Sequence, residues 1–424
     1  MDMTEFLAEE WKPALGCTEP AAVAWAAALA AAQGTGPILL VHLHCDPRTY
    51  KNCYAVGIPN AGGATGILWA LALGANLPEA SKGLRCFEAI DSDSLQAAAS
   101  LLAAGRVKVE VDPSKDHLMI DVTVIRNQRH GRALLSREHT HLARLEKDGY
   151  LVGGRDAEPE ALAKNHVRRL VAASTIEDMM ALARSLSTAD RVRLREGAAM
   201  NLEIALEGLS LLPKGFAGSS ANTDLMPPTH LVSGGVFARM SGSSNPVMTL
   251  AGSGNKGISL TIPILMTGRQ TDQPEDRIEE ALAFGCLMTS SATWHLGTLS
   301  SICGAANAAG IGVASALVFM EGGTAHQVGL AISTMVGTLA GMICDGAKIG
   351  CAMKAMTGVD TAYRAASMAL ADVGIPRTDG IVGFNGPSSL LNLGRIANQG
   401  MVGVDSEILR IMQDKLQSRP SGPV

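Results

Sequence analysis

Aromatic residues are scarce, at 4% of the 424 residues, so platforms for stacking nucleic-acid bases are not expected. There is no basic excess either. Lys+Arg 35 against Asp+Glu 40 leaves a formal charge of −5, which gives no field to hold nucleic acid or an anionic membrane. Charged residues make up only 18% against 47% hydrophobic, the reverse of a disordered chain. The first ten residues carry Asp2, Glu5, Glu9 and Glu10 and no base, whereas a secretory leader starts basic and turns apolar. A cytoplasmic protein is expected. Eight cysteines are too sparse for a disulfide scaffold. In a reducing compartment they read as buried, catalytic or metal-bound.

What is abundant is glycine, 46 residues, together with alanine, which points to helices packed closely through small side chains. Two or three domains are expected from length. Ala281–Met320 and Gly322–Cys344 contain no Asp, Glu, Lys or Arg. They are long enough to span a bilayer, but they are rich in Gly, Ala, Ser and Thr, hold His295, Asn307 and His326, and lack a flanking basic cluster. They read as a central buried helix pair.

Residues 5–33 read as helical with a break between Pro13 and Pro20. Gly36–Leu43 and Tyr54–Ile58 read as strands, and Gly62, Gly63 and Gly66 as a loop before a helix near Ile67–Leu73. Val107, Val109 and Val111 alternate with Lys108 and Glu110 at strand period, and Met119–Ile125 and Ala133–Leu145 continue in strand style. Gly153–Glu158 is a candidate boundary. Beyond it, Ser174 with Glu177 and Ser187 with Asp190 suggest capping boxes, and helices separated by glycine-rich loops dominate. The fold class expected is α+β, with a mixed α/β unit at 1–160 and a mainly helical, cluster-binding unit at 161–424.

Gly252-Ser-Gly-Asn-Lys-Gly257 matches GxGxxG. The β-branched, proline-containing Ile258–Pro263 that follows argues against a long helix there, and no βαβ alternation surrounds it. A dinucleotide site is not expected; a loop whose N–H groups face an anion, or a plain turn, is. His42-Leu-His-Cys45 reads as a polar strand face, with no fourth group in reach to complete a zinc site.

Four cysteines stand in distinctive surroundings. Cys17, in Gly16-Cys-Thr-Glu-Pro20, precedes an alanine-rich helix that Thr18 or Glu19 can cap, with Pro20 in its first turn. A helix N-terminus lowers a thiol pKa. Cys303 lies in a Gly/Ala-rich segment, and Cys344 and Cys351 bracket an Asp345-Gly346 turn that lets their thiols converge. Spacing alone matches no known metal ruler, and on spacing alone buried core cysteines are the preferred reading.

Ala14-Leu-Gly-Cys-Thr-Glu-Pro20, Val56-Gly-Ile-Pro59, Gly252-Ser-Gly-Asn255 and Gly341-Met-Ile-Cys-Asp-Gly-Ala-Lys348 make the chain resemble the L-cysteine desulfidase family, grouped with serine dehydratase-like α-chain proteins. The resemblance implies an oxygen-sensitive [4Fe–4S] cluster and β-elimination from L-cysteine to pyruvate, ammonia and sulfide. It implies Cys303, Cys344 and Cys351 as metal ligands, with Cys17 either the catalytic base or, in place of Cys351, the third ligand. Thr18, Glu19, Ser219, Ser220, Asn222 and Asn255 become candidates for binding a small amino-acid substrate. Lys256, where the family commonly has glutamine, and the segment Ser241–Pro246 depart from the pattern and leave L-serine or another β-substituted amino acid open. A pyridoxal-phosphate lyase using Lys256 or Lys348, or a non-enzymatic iron–sulfur protein, are the other classes. No nucleic-acid or membrane partner is expected, and a homo-oligomer is left open.

Overall fold

The strand-period segments do pair, and they pair with one another. The computed structural model describes residues 1–77, 80–115, 117–154, 166–212, 227–297 and 300–417. Helix α1 (Met3–Glu10) and strand β1 (Trp11–Ala14) open the chain, followed by α2 (Thr18–Ala31), β2 (Ile38–Cys45), α3 (Pro47–Cys53), α4 (Ile67–Asn76) and α5 (Ser92–Ala103). Strands β3 (Val107–Val111), β4 (Met119–Arg126), β5 (Arg129–Ser136), β6 (Leu142–Lys147) and β7 (Tyr150–Gly153) complete a six-stranded sheet of order β3-β2-β4-β5-β6-β7. Only β2 and β3 run parallel. Alternation sorts the sheet: Val41, Leu43 and Cys45 point into a core shared with α2 and α4, while His42 and His44 take the other face. There the two imidazoles approach Glu110 (3.4 Å) and Asp112 (3.9 Å), the polar strand face expected of this motif.

The rest is helical: α6 (His166–Ala173), α7 (Ile176–Arg184), α8 (Thr188–Leu211), α9 (Pro228–Ser241), the short β8 (Val247–Leu250), α10 (Gly254–Gln270), α11 (Glu275–Leu296), α12 (Ala308–Met320), α13 (Ala325–Leu339), α14 (Cys351–Leu370), α15 (Gly386–Arg395) and α16 (Val402–Gln417). The protein is α+β. The charge-free stretches form α11, α12 and α13, and every residue of α12 is buried. No helix among the described residues is long and apolar enough to cross a membrane. A large core joins these helices to Met3, Phe6, Leu7 and Trp11 from the start of the chain, and β1 pairs antiparallel with β8. The N-terminal segment is thus stitched to the helical part, while Leu409 of α16 reaches back into the core under the sheet.

Several local readings change. Tyr54–Ile58 is not a strand, apart from a lone bridge between Gly57 and Thr65. Before it, Asp46 accepts from the N–H groups of Arg48 and Thr49 and, with Pro47 in the first turn, starts α3, an N-terminus signal. The first capping box is one residue along, Thr175 with Asp178; the second, Ser187 with Asp190, is where it was expected. The segment Ile258–Pro263 is helical after all, because α10 runs through it capped by Ser253 with Pro263 inside. Almost all of α10 is buried, and burial of this extent overrides the weak intrinsic preferences of β-branched residues. Part of the candidate boundary at Gly153–Glu158 lies outside the described residues.

Candidate functional site

The site begins at a turn that only glycine fits. Gly16 has φ +65°, and a Cβ there would sit 2.6 Å from Pro59 Cγ. The turn delivers Cys17 as the N-cap residue of α2, with no side-chain cap bond from Thr18 or Glu19. Those two residues instead begin the helix. The Cys17 thiol, 5% exposed, donates a hydrogen bond to Glu19 Oε2 at 3.1 Å. Glu19 Oε1 accepts from Asn52 Nδ2 at 2.9 Å. The expected lowering of the Cys17 pKa is overturned: burial, and then the Glu19 carboxylate, push the thiol well up, against a smaller opposing pull from Arg239. Glu19 stays below its usual range: burial is the largest influence and opposes ionisation, but His139 and the hydrogen bonds from Cys17 and Asn52 together outweigh it.

On the other side, two loops are sewn together by their backbones. Ile302 and Ile343 form an antiparallel bridge; Cys303 N donates to Met342 O (2.9 Å) and Cys344 N to Ser301 O (2.7 Å). Cys303 and Cys344, 41 residues apart in sequence, are brought side by side in this way. Cys351 opens α14, and its thiol donates to Gly346 O at 3.5 Å. Asp345 is clamped by Lys348 and Lys354. Lys51, 3% exposed, donates to Cys344 O (2.9 Å) and to Asp405 of α16 (2.6 Å). Burial raises the Cys303 thiol pKa, and the neighbouring Cys344 and Cys351 sulfurs raise it further. Cys351 is likewise raised, by burial first and by Cys344 among the smaller causes.

Cys17, Thr18, Glu19, Asn255 and all three of Cys303, Cys344 and Cys351 line one cavity of ≈130 Å³. Ser219, Ser220 and Asn222 lie outside the described residues. Sequence reasoning missed Arg239, Asn52, Lys51 and His139, which line the same cavity. His139 brings a buried Nε2 without a hydrogen-bond partner among the described residues. Only folding reveals these residues, since α9, α3 and the β5–β6 turn carry no motif of their own. Lys256, 5% exposed, bonds Ala251 O and Thr293 Oγ1 (both 3.1 Å). Burial lowers its pKa to about 7, helped by Arg168 and opposed by Glu10, Cys303 and Cys344. The GxGxxG segment contributes Asn255 and Lys256 from the first turn of α10, not a nucleotide cradle. Lys348 is held by Asp345 at the rim.

Among the described residues no three His, Cys, Asp or Glu side chains form a chelate for a single metal ion. Three soft thiols sharing one cavity with no disulfide are chemically suited to hold an iron–sulfur cluster, in which each thiolate would bond a different iron.

Residues 115–410 match the family of the serine dehydratase alpha chain. The chain belongs to this family. Three relatives are UPF0597 proteins. That of Geobacter sulfurreducens is 37% identical over 96% of this chain and 97% of its own. Those of Elusimicrobium minutum and Clostridium tetani are each 32% identical, over 98% and 97% of this chain and 99% and 98% of their own. The serine dehydratase match includes Cys303, Cys344, Cys351 and Arg239, while Cys17 and Glu19 lie before it and fall within the near-full-length similarity to the UPF0597 relatives.

Proposed function

We propose that the protein is a [4Fe–4S]-dependent lyase that eliminates the β-substituent of a small amino acid, with L-cysteine giving pyruvate, ammonia and sulfide. The observation that carries the reading is the single cavity shared by the cysteine trio and the Cys17–Glu19 pair. Cys303, Cys344 and Cys351 would hold the cluster. Their mutual electrostatic influence supports this set over one containing Cys17, whose main influences are burial, Glu19 and Arg239. A cluster held by these three thiolates would leave one iron without a protein ligand and would supply Lewis acidity toward the leaving sulfur.

The chain's own groups handle the protons. Cys17 and Glu19 would act as a relay, Cys17 taking the Cα–H proton while its own thiol proton passes to the ionised Glu19. As the Cα proton moves to Cys17, the Cα–H electron pair forms the Cα–Cβ double bond and the Cβ–S bond breaks toward sulfur. The aminoacrylate released takes up water to give pyruvate and ammonia. Thr18 and Asn255 bound the space beside the substrate. No group in this account requires a membrane or nucleic acid, and a cytoplasmic location suits an oxygen-sensitive cofactor.

A second reading, elimination of water from L-serine, is favoured by the family match itself. Anaerobic purification with iron and acid-labile sulfide analysis, followed by pyruvate assays on L-cysteine and L-serine, tests both. Cluster-loaded protein that releases pyruvate from neither rejects the lyase reading. Activity without iron, with borohydride trapping a cofactor on Lys256, moves the reaction to pyridoxal chemistry.

A further inference from the structure

Arg239 is one of the charged side chains lining the cavity that the chemistry above leaves unused. It sits on α9, only 3% exposed. One terminal nitrogen donates to Asn255 Oδ1 (2.9 Å) and the other to Gly16 O (2.7 Å). Among the described residues its Nε has no hydrogen-bond partner. A Cβ on Gly254 would lie 2.4 Å from that Nε, so a glycine at this position makes room for the guanidinium. Among the described residues no carboxylate stands within ion-pair distance of it. Both its acceptors are neutral, and a guanidinium has five N–H groups. A buried cation is costly without a counter-charge, and two neutral acceptors alone would be served as well by an uncharged amide.

The surroundings say which anion completes it. Arg239 faces the cavity that holds the thiols, and it touches both motif turns: Gly16 beside Cys17, and Asn255 in the first turn of α10. The planar fork of a guanidinium matches a carboxylate by two parallel hydrogen bonds. Glu19, three residues beyond Gly16, gives the same cavity a negative pole. A positive and a negative group anchored to one turn complement a zwitterion.

Resting on the lyase reading, we infer that Arg239 is the receptor for the substrate's α-carboxylate, with Asn255 orienting the guanidinium, and that it restricts the site to α-amino acids. Uncharging the carboxylate then removes the recognition, while the leaving group at Cβ is irrelevant to it.

The test uses binding in place of turnover. L-alanine, which has no leaving group, and L-alaninamide, which lacks the carboxylate charge, are titrated calorimetrically into anaerobically purified protein, whatever its iron content. Wild type should bind L-alanine on the order of 100-fold more tightly than L-alaninamide, the scale of a desolvated charge-assisted pair. Arg239→Gln should bind both equally weakly, and Arg239→Lys should recover part of the preference. Equal binding of the two ligands by wild type, or no binding of L-alanine, overturns the proposal even if Arg239→Gln fails to fold. So does an Arg239→Gln variant that folds and keeps the preference. The lyase reading fails separately: intact carboxylate recognition without pyruvate release from any amino acid rejects that reading and leaves Arg239 as assigned.

Discussion

The Cys17 thiol hydrogen-bonds to Glu19 Oε2 across 3.1 Å, two residues along the same turn. The helix N-terminus at Cys17 favours a thiolate, but burial and the adjacent carboxylate outweigh it and keep the proton on sulfur. The pair is thus a proton donor and acceptor in waiting.

Cys17→Ser should therefore keep its iron and lose turnover by on the order of 10²–10⁴-fold, the usual share of acid–base catalysis. The hydroxyl keeps the hydrogen bond to Glu19 but ionises far less readily. Glu19→Gln should lose activity on the same scale with iron retained, because the acceptor for the Cys17 proton is gone. Iron content and pyruvate release measured together decide the matter. Iron lost along with activity in Cys17→Ser would make Cys17 a ligand.

The trio behaves differently. Cys303→Ala, Cys344→Ala and Cys351→Ala should each lose the iron–sulfur absorbance, since each removes one thiolate of three. Chelation of iron from the wild type should abolish turnover, and iron with sulfide under reducing conditions should restore it. Full iron content in any of the three variants would strike that residue from the ligand set.

How much of this was legible in sequence differs from element to element. Val107, Val109 and Val111 revealed a strand because alternation is a local signal, and the Ser187–Asp190 box revealed a helix start for the same reason. Thr18, Glu19 and Asn255 reach the cavity because their motifs lie at chain turns. Arg239 and Asn52 were invisible: each sits in the last turn of its helix, outside any motif, and only the packing of α9 and α3 against the Gly16 turn carries them in. The helix through Pro263 was misjudged because β-branched residues and a proline oppose it locally, whereas the decisive contribution, near-complete burial of α10, is tertiary. The Cys17 pKa was misjudged likewise, since the helix terminus is readable in sequence and desolvation is not.

Gly74 ties the site to the first core. A Cβ there would stand 2.2 Å from Ala24 O and 2.6 Å from Ala24 Cα, and neither backbone atom can move without shifting α2, the helix that carries Cys17. Gly74→Ala should cost about 1–3 kcal/mol by overpacking, seen as a lower urea midpoint. Gly403→Ala is the control: a Cβ there meets nothing within 4 Å, so helix propensity should make it neutral or stabilising by up to about 1 kcal/mol. An unchanged midpoint in Gly74→Ala would show that the two helices pack less closely than described.

Lys256 makes stability depend on pH in a definite direction. Its folded pKa is about 7, against an ordinary 10.5, and burial is the main cause. Between those values the unfolded chain binds a proton that the folded chain does not, so raising pH over this window favours the fold. Below about pH 7 both states are protonated and the full cost of burying the ammonium is present; near pH 10.5 it has gone. Lys256→Met, apolar and of similar length, removes this cost. It also removes the hydrogen bonds to Ala251 O and Thr293 Oγ1 at every pH. The informative quantity is therefore the stability of the variant minus that of the wild type, compared at pH 7 and pH 10 by urea unfolding of iron-free, reduced protein. It should be more favourable to the variant at pH 7 by a few kcal/mol, at about 1.4 kcal/mol per pKa unit. Thiols that titrate in the unfolded chain do so in both proteins and cancel from the comparison. The same difference at both pH values would mean that Lys256 keeps its proton in the folded protein throughout this range.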